Sequence, residues 1–140
     1  MVCQIKSTET YILTFGYGNR KNYDDFLKYL ELFNVGYVVD VRLSPRAWTH
    51  RWYGKEIEKL CNSRNIKYIA KSALGNTSGK SNWIPPDKEQ AASALLEISE
   101  ISKAKTTLLL CAEMHPSKCH RVDVAQQLCE LTNTPVKHLE

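Results

Sequence analysis

Short apolar runs alternate along this chain with longer segments in which apolar residues recur every three or four positions. The period separates the two kinds: brief continuous or alternating runs fit strands, and three-to-four spacing fits amphipathic helices. Residues 11–15 (YILTF) read as a strand that ends at the glycine-rich turn Gly16-Tyr17-Gly18-Asn19-Arg20. Asn22 with Asp25 resembles a helix cap, and Tyr23, Phe26, Leu27, Leu30 and Phe33 then share one face as far as the stop at Asn34-Val35-Gly36. A second strand, 37–41 (YVVDV), runs into Arg42, Ser44, Pro45 and Arg46, where the proline ends any central strand. Residues 47–53 (AWTHRWY) read as a long loop, 54–65 as a helix and 66–70 as a third strand.

The second half repeats the alternation. Residues 71–86, rich in Ser, Gly, Asn and Pro, form a surface loop whose length makes it a candidate cover for a site. Asp87 and Gln90 form a capping pair, and Ala91, Ala94, Leu95, Ile98 and Ile101 keep helical spacing before Thr106 opens a leucine strand. Leu108 to Leu110 are apolar at every position, as in a strand covered on both faces. Pro116 suits the first position of a helix over 117–131, and a turn at 132–135 leads to a last strand over 136–139. Strand and helix alternate throughout. The expected fold is α/β: a single-domain, three-layer sandwich over residues 1–140, with a mostly parallel sheet of about five strands, helices on both faces and right-handed crossovers.

Composition changes this picture little. Apolar residues at 43% and charged residues at 24% are ordinary for a globular protein. The opening MVCQIKSTET has no long apolar run, nor does the chain hold an apolar stretch able to span a bilayer, so a cytoplasmic location and no membrane partner are expected. The five cysteines, at 3, 61, 111, 119 and 129, lack the spacing of a secreted disulfide scaffold and are expected as thiols. The formal charge of +4 favours an anionic partner, either a small molecule or a nucleic acid. No motif names a cofactor.

Candidate chemistry concentrates after the leucine strand, where Cys111, Glu113, His115, Cys119, His120 and Arg121 crowd around Pro116. A strand, a tight turn and a helix start make an anion-binding geometry, because free amides and the positive end of the helix dipole point outward there. A thiol in that first turn, beside histidine and arginine, should ionise readily, and the thiolate is the reactive form. Cys119 suits this role. Equally, Cys111 could attack and Cys119 resolve it as a disulfide, or both could bind metal with His115 and His120, although the eight-residue gap fits no tight zinc-finger spacing. The plainer alternative is that Cys111 is a small buried residue and His120 packs locally. Arg20, Arg42 and Arg46 offer planar donor forks for phosphate, sulfate or carboxylate, and Ser44 adds a hydroxyl. The competing expectation for Arg42 is a scaffold pairing with Asp40 or Glu113. Trp48, Trp52 and Tyr53 could stack on bases or anchor their loop to the core. Cys3, Cys61 and Cys129 are expected to pack.

FGYGN, VVDVRLSPR, Leu74-Gly75-Asn76 and CAEMHPSKCHR, in that order, resemble the family catalogued as domain of unknown function 488 (DUF488), and the resemblance spans nearly the whole chain. CAE and the CHR motif are its most specific parts. The family usually carries Asp or Glu before the proline, where this chain has His115. The resemblance implies a fold and a motif, not a reaction.

Two functions of different class remain open. One is a thiol-dependent transferase or hydrolase acting on a phosphate-, nucleotide- or sulfur-bearing anion, with Cys111, Glu113, Cys119, His120 and Arg121 as catalytic candidates and Tyr17, Asn19, Arg20, Arg42, Ser44 and Arg46 as anion binders. The other is a nucleic-acid-binding module with structural Cys and His residues.

Overall fold

The computed structural model describes residues 10–18, 20–47, 49–113 and 119–139. Its strands are β1 (Ile12–Gly16), β2 (Tyr37–Asp40), β3 (Lys67–Ala70), β4 (Thr107–Cys111) and β5 (Val136–His138). They form one sheet in the order β3-β2-β4-β1-β5, every pairing parallel. The helices are α1 (Asp24–Leu32), α2 (Gly54–Asn62), α3 (Lys88–Ala104) and α4 (Arg121–Thr132), with short 3₁₀ turns at His50–Trp52 and Ser72–Leu74.

Side-chain alternation along the strands divides the core in two. Leu13, Phe15, Val38, Leu108 and Leu110 pack against Phe26 and Leu30 of α1 and Ile57 and Cys61 of α2. Ile12, Val39, Leu109 and Cys111 face Ala94, Leu95 and Ile98 of α3 and Val124, Ala125 and Leu128 of α4. The molecule is thus a three-layer α/β/α sandwich. Leu108, Leu109 and Leu110 are fully buried because β4 is central and covered on both faces, and each contributes roughly 1.5–3 kcal/mol of burial. Edge strand β3 keeps partly exposed positions.

Crossovers from β1 to β2 and β2 to β3 move one way and put α1 and α2 on one face, whereas those from β3 to β4 and β4 to β5 move the other way and put α3 and α4 on the opposite face. β4 lies between β1 and β2, whose outgoing helices leave to the other side. Its carboxyl end is therefore a topological switch point, where loops splay apart and open sheets form their crevices.

Local signals placed most boundaries. Asp87 caps α3 by accepting the Gln90 N–H at 2.9 Å. Asn34, Asn65 and Asn133 adopt left-handed backbone just after helices, a conformation asparagine tolerates. Three helix ends differ from expectation: α1 has Tyr23, not Asn22, at its N-cap, α2 ends at Asn62, short of residue 65, and α4 begins at Arg121, not near residue 117, with Cys119 preceding it. At this start Cys119 Sγ accepts the Arg121 N–H, and His120 Nε2 bonds the carbonyls of Val41 and Leu74. Pro116, with the rest of 114–118, lies outside the described residues.

Candidate active site at the end of the fourth strand

Cys111 is the last residue of β4, paired in register with Gly16 of β1. Gly16 has no room for a side chain: a Cβ there would lie 1.5 Å from the Glu113 carbonyl oxygen. That carbonyl accepts a 2.6 Å hydrogen bond from Arg121 Nη1, so the wholly buried Arg121 ties the segment after β4 to the start of α4. The amides of Tyr17 and Gly18 bind the carbonyls of Cys111 and Ala112, joining the first loop to the same turn.

These ties bring Cys111 and Cys119 together as a disulfide pair, their Cα atoms 7.3 Å apart. The general expectation of thiols gives way at this pair to the alternative of a Cys111–Cys119 disulfide, the fold closing the eight-residue gap sulfur to sulfur. Both cysteines are buried. Arg121 N–H, the first amide of α4, points at Cys119 Sγ at 3.5 Å, so that sulfur caps the helix and sits at the positive end of its dipole.

His120 binds the pair to the rest of the fold. Its Nε2 lies 2.9 Å from the carbonyl of Val41, beyond β2, and 2.9 Å from that of Leu74. A carbonyl only accepts, so Nε2 must carry the proton, and in the neutral ring Nδ1 is left with a free lone pair. Nδ1 faces Cys111 Sγ at 3.9 Å and Cys119 Sγ at 3.8 Å. Burial lowers the His120 pKa, with a smaller push from Arg121; the two carbonyls and Asp123 oppose it only in part. The ring is accordingly a neutral proton acceptor aimed at two sulfurs.

The loop over the ring is held in place. Gly75 lies so close to Leu43 that a Cβ would meet its side chain at 2.7 Å, which sets the Leu74 carbonyl over His120. Trp83 donates its indole N–H to Gly75 O at 2.9 Å and its backbone N–H to Asp123 at 3.2 Å, with its ring 6.5 Å from that of His120. Asn76 organises the loop by bonding the Ser78 and Ile84 amides and the Lys80 carbonyl. Beneath it a cavity of about 420 Å³ is lined by Asn76, Gly79, Lys80, Ser81, Cys111, Glu113, Cys119 and His120. Four residues of the loop thus form part of the cavity wall.

The anion-binding candidates mostly lie elsewhere. Arg42 Nε and Nη2 bind Asp40 at 2.8 and 2.6 Å, and Nη1 donates to the carbonyls of Trp52 and Arg46. Burial disfavours its charge, but the Asp40 hydrogen bonds and charge outweigh that, and Arg42 titrates above its ordinary value. The scaffold alternative describes this arginine. Asp40 also accepts the Tyr68 hydroxyl at 2.6 Å, and burial followed by the Asp40 charge raises the Tyr68 pKa. Arg20 pairs with Asp25, bonds Gly16 O and stacks 4.6 Å over Phe15. Tyr17 is buried, stacked 5.1 Å from Trp52 and beneath Arg42. Trp52, 1% exposed, is an anchor and not a stacking platform. Ser44 and Arg46 are exposed, and Arg46 borders a separate hollow with Tyr17, Ala47, Tyr53 and Ala112. Asn19, Trp48 and His115 lie outside the described residues.

The pocket thus gathers Cys111, Glu113, Cys119 and His120, with Arg121 buried behind them. Sequence reasoning missed the Val41 and Leu74 carbonyls, Lys80 and Trp83. The Leu-Gly-Asn motif and the length of the 71–86 loop were the signals that pointed to that loop. The two sulfurs and a ring nitrogen of His120 lie within 4.8 Å of one another, a donor set that also suits a zinc-like ion.

Fold and site define a parallel α/β protein with a Cys-His cluster at its topological switch point. Residues 22–128 match the family described as Domain of unknown function DUF488, and the chain belongs to it. No curated protein and no solved structure matches the chain. Among the described residues no helix is long and apolar enough to cross a membrane.

Proposed function

We propose that this protein is a thiol-dependent enzyme acting on an anionic substrate, with Cys119 as nucleophile and His120 as the base that takes its proton. The observation that carries this reading is the His120 ring: Nε2 is fixed by two carbonyls, and Nδ1 is turned to the sulfurs. Cys119 is favoured over Cys111 because, among the described residues, its sulfur is the one that receives a helix N-terminal amide, which stabilises the thiolate. Lys80, which lines the cavity, supplies positive charge for the substrate, and Glu113 offers a second group for proton transfer.

The test is the pH dependence of thiol alkylation in the reduced protein, in Cys111→Ser and in Cys119→Ser, with metal content measured on the same samples. Cys119 should alkylate with an apparent pKa below about 8.5, the free-cysteine value. Two inert thiols with stoichiometric zinc would replace this reading by a metal centre.

A nucleic-acid-binding role has one observation in its favour: Arg46, His50, Tyr53 and Lys55 line a basic, aromatic hollow near α2. Binding that weakens steeply with salt and survives loss of both cysteines would support it.

A further inference from the structure

The identity of the electrophile follows from the second sulfur. If Cys119 carried an acyl or phosphoryl group, Cys111 could only take that group over, and the pairing would lead nowhere. If Cys119 carries a sulfur-linked group, a neighbouring thiol has a distinct reaction to perform: it attacks the Cys119 sulfur and expels the group. Cys111 is placed for that, paired with Cys119 and within reach of the same His120 nitrogen. We propose, building on the thiol-enzyme reading, that the substrate is an anionic disulfide and that Cys111 completes the reaction by closing the Cys111–Cys119 bond.

The steps balance. His120 Nδ1 takes the Cys119 proton, and the thiolate attacks one sulfur of the substrate R–S–S–R′. A Cys119–S–S–R bond forms, the substrate S–S bond breaks, and R′–S⁻ leaves as R′–SH after taking the proton from His120 Nδ1. Nδ1, free again, takes the proton of Cys111, whose sulfur attacks that of Cys119. The Cys111–Cys119 bond forms and R–S⁻ leaves, again protonated by way of His120. The protein dithiol is oxidised by two electrons, and the substrate disulfide is reduced to two thiols. A low-molecular-weight thiol, itself oxidised to its disulfide, returns the protein to the dithiol. The geometry suits this cycle because Cys119, at the helix start, is the better-stabilised thiolate and hence the first nucleophile, and it is the sulfur that leaves when the low-molecular-weight thiol attacks Cys111 of the closed pair.

The probe is dithiobis(nitrobenzoate), an anionic aromatic disulfide that releases a coloured thiolate, added in slight excess to the reduced protein. Cys3 and Cys129 are changed to serine; Cys61 stays, because it is buried and burial pushes its thiol up to about 12. The cysteine pair should release about two equivalents of thiolate, lose two hydrogens in mass and keep no adduct. Cys111→Ser in the same background should release about one equivalent and hold the mixed disulfide on Cys119, located by peptide mass. Persistence of an adduct with Cys111 present would overturn the disulfide inference while leaving Cys119 as a nucleophile. Failure of both thiols to react would remove the thiol-enzyme reading as well. Because the first readout needs no change at Cys111, a folding defect in that variant cannot hide the answer.

Discussion

Two clusters of charged and reactive side chains stand at the carboxyl ends of neighbouring strands, and they differ in what is left over after internal bonding. At the end of β2, Asp40, Arg42, Tyr68 and Trp52 satisfy one another: the guanidinium forks onto the carboxylate and two carbonyls, and the phenol takes the remaining acceptor. At the end of β4, His120 is satisfied on one side only. Its other nitrogen and two sulfurs face a cavity with Glu113 and Lys80 on its walls. In sequence both the DVR segment and the CHR segment supply site candidates, with the reactive groups concentrated in the second. In the fold one has spent its hydrogen-bonding capacity on holding loops, and the other retains capacity for a ligand.

The sharpest way to break that contrast is to remove one partner of the first cluster. Arg42→Ala leaves the buried Asp40 charge without its fork, and unfolding by urea should register a loss of about 3–5 kcal/mol. Cys119 in the protein that remains folded should alkylate as in the wild type. A variant of normal stability but lost thiol reactivity would reverse the two roles.

A smaller effect tests the second cluster through protons. His120 and His138 both have lowered pKa values, with burial the leading cause for each. A depressed histidine binds fewer protons folded than unfolded, so stability is complete above the unfolded value of about 6.5 and falls as pH drops toward the folded values. Melting temperatures recorded from neutral to mildly acid pH should decline through that window, and His138→Asn should remove part of the slope. A flat profile would mean that His120 accepts its proton without cost and is not held neutral.

The smallest effect is expected where neither cluster is touched. Ser44→Ala changes an exposed side chain, so stability should stay within about 0.5 kcal/mol. A marked loss of substrate turnover in this variant, once a substrate is in hand, would return the loop after β2 to the functional site.

Much of the fold is already legible in local pattern. Helical spacing, the Asp87–Gln90 cap, the asparagine stops and the all-apolar leucine strand report backbone preferences and burial that act within a few residues. The start of α4 is less legible: helical spacing runs on through 117–131, whereas the helix opens at Arg121, just after a His120 that bonds carbonyls far away in sequence.

By itself the sequence determined the order of strands and helices, the parallel sandwich and the clustering of Cys111, Cys119, His120 and Arg121 near one strand end. Those features follow from periodicity and from chain continuity. Tertiary structure alone decided which reactive groups remain available. Arg42 was turned inward by Asp40, Trp52 was buried against Tyr17 and Phe15, and His120 was oriented by carbonyls 79 and 46 residues away. Availability depends on which partners the fold brings to each polar atom, and those partners lie too far along the chain for spacing to encode.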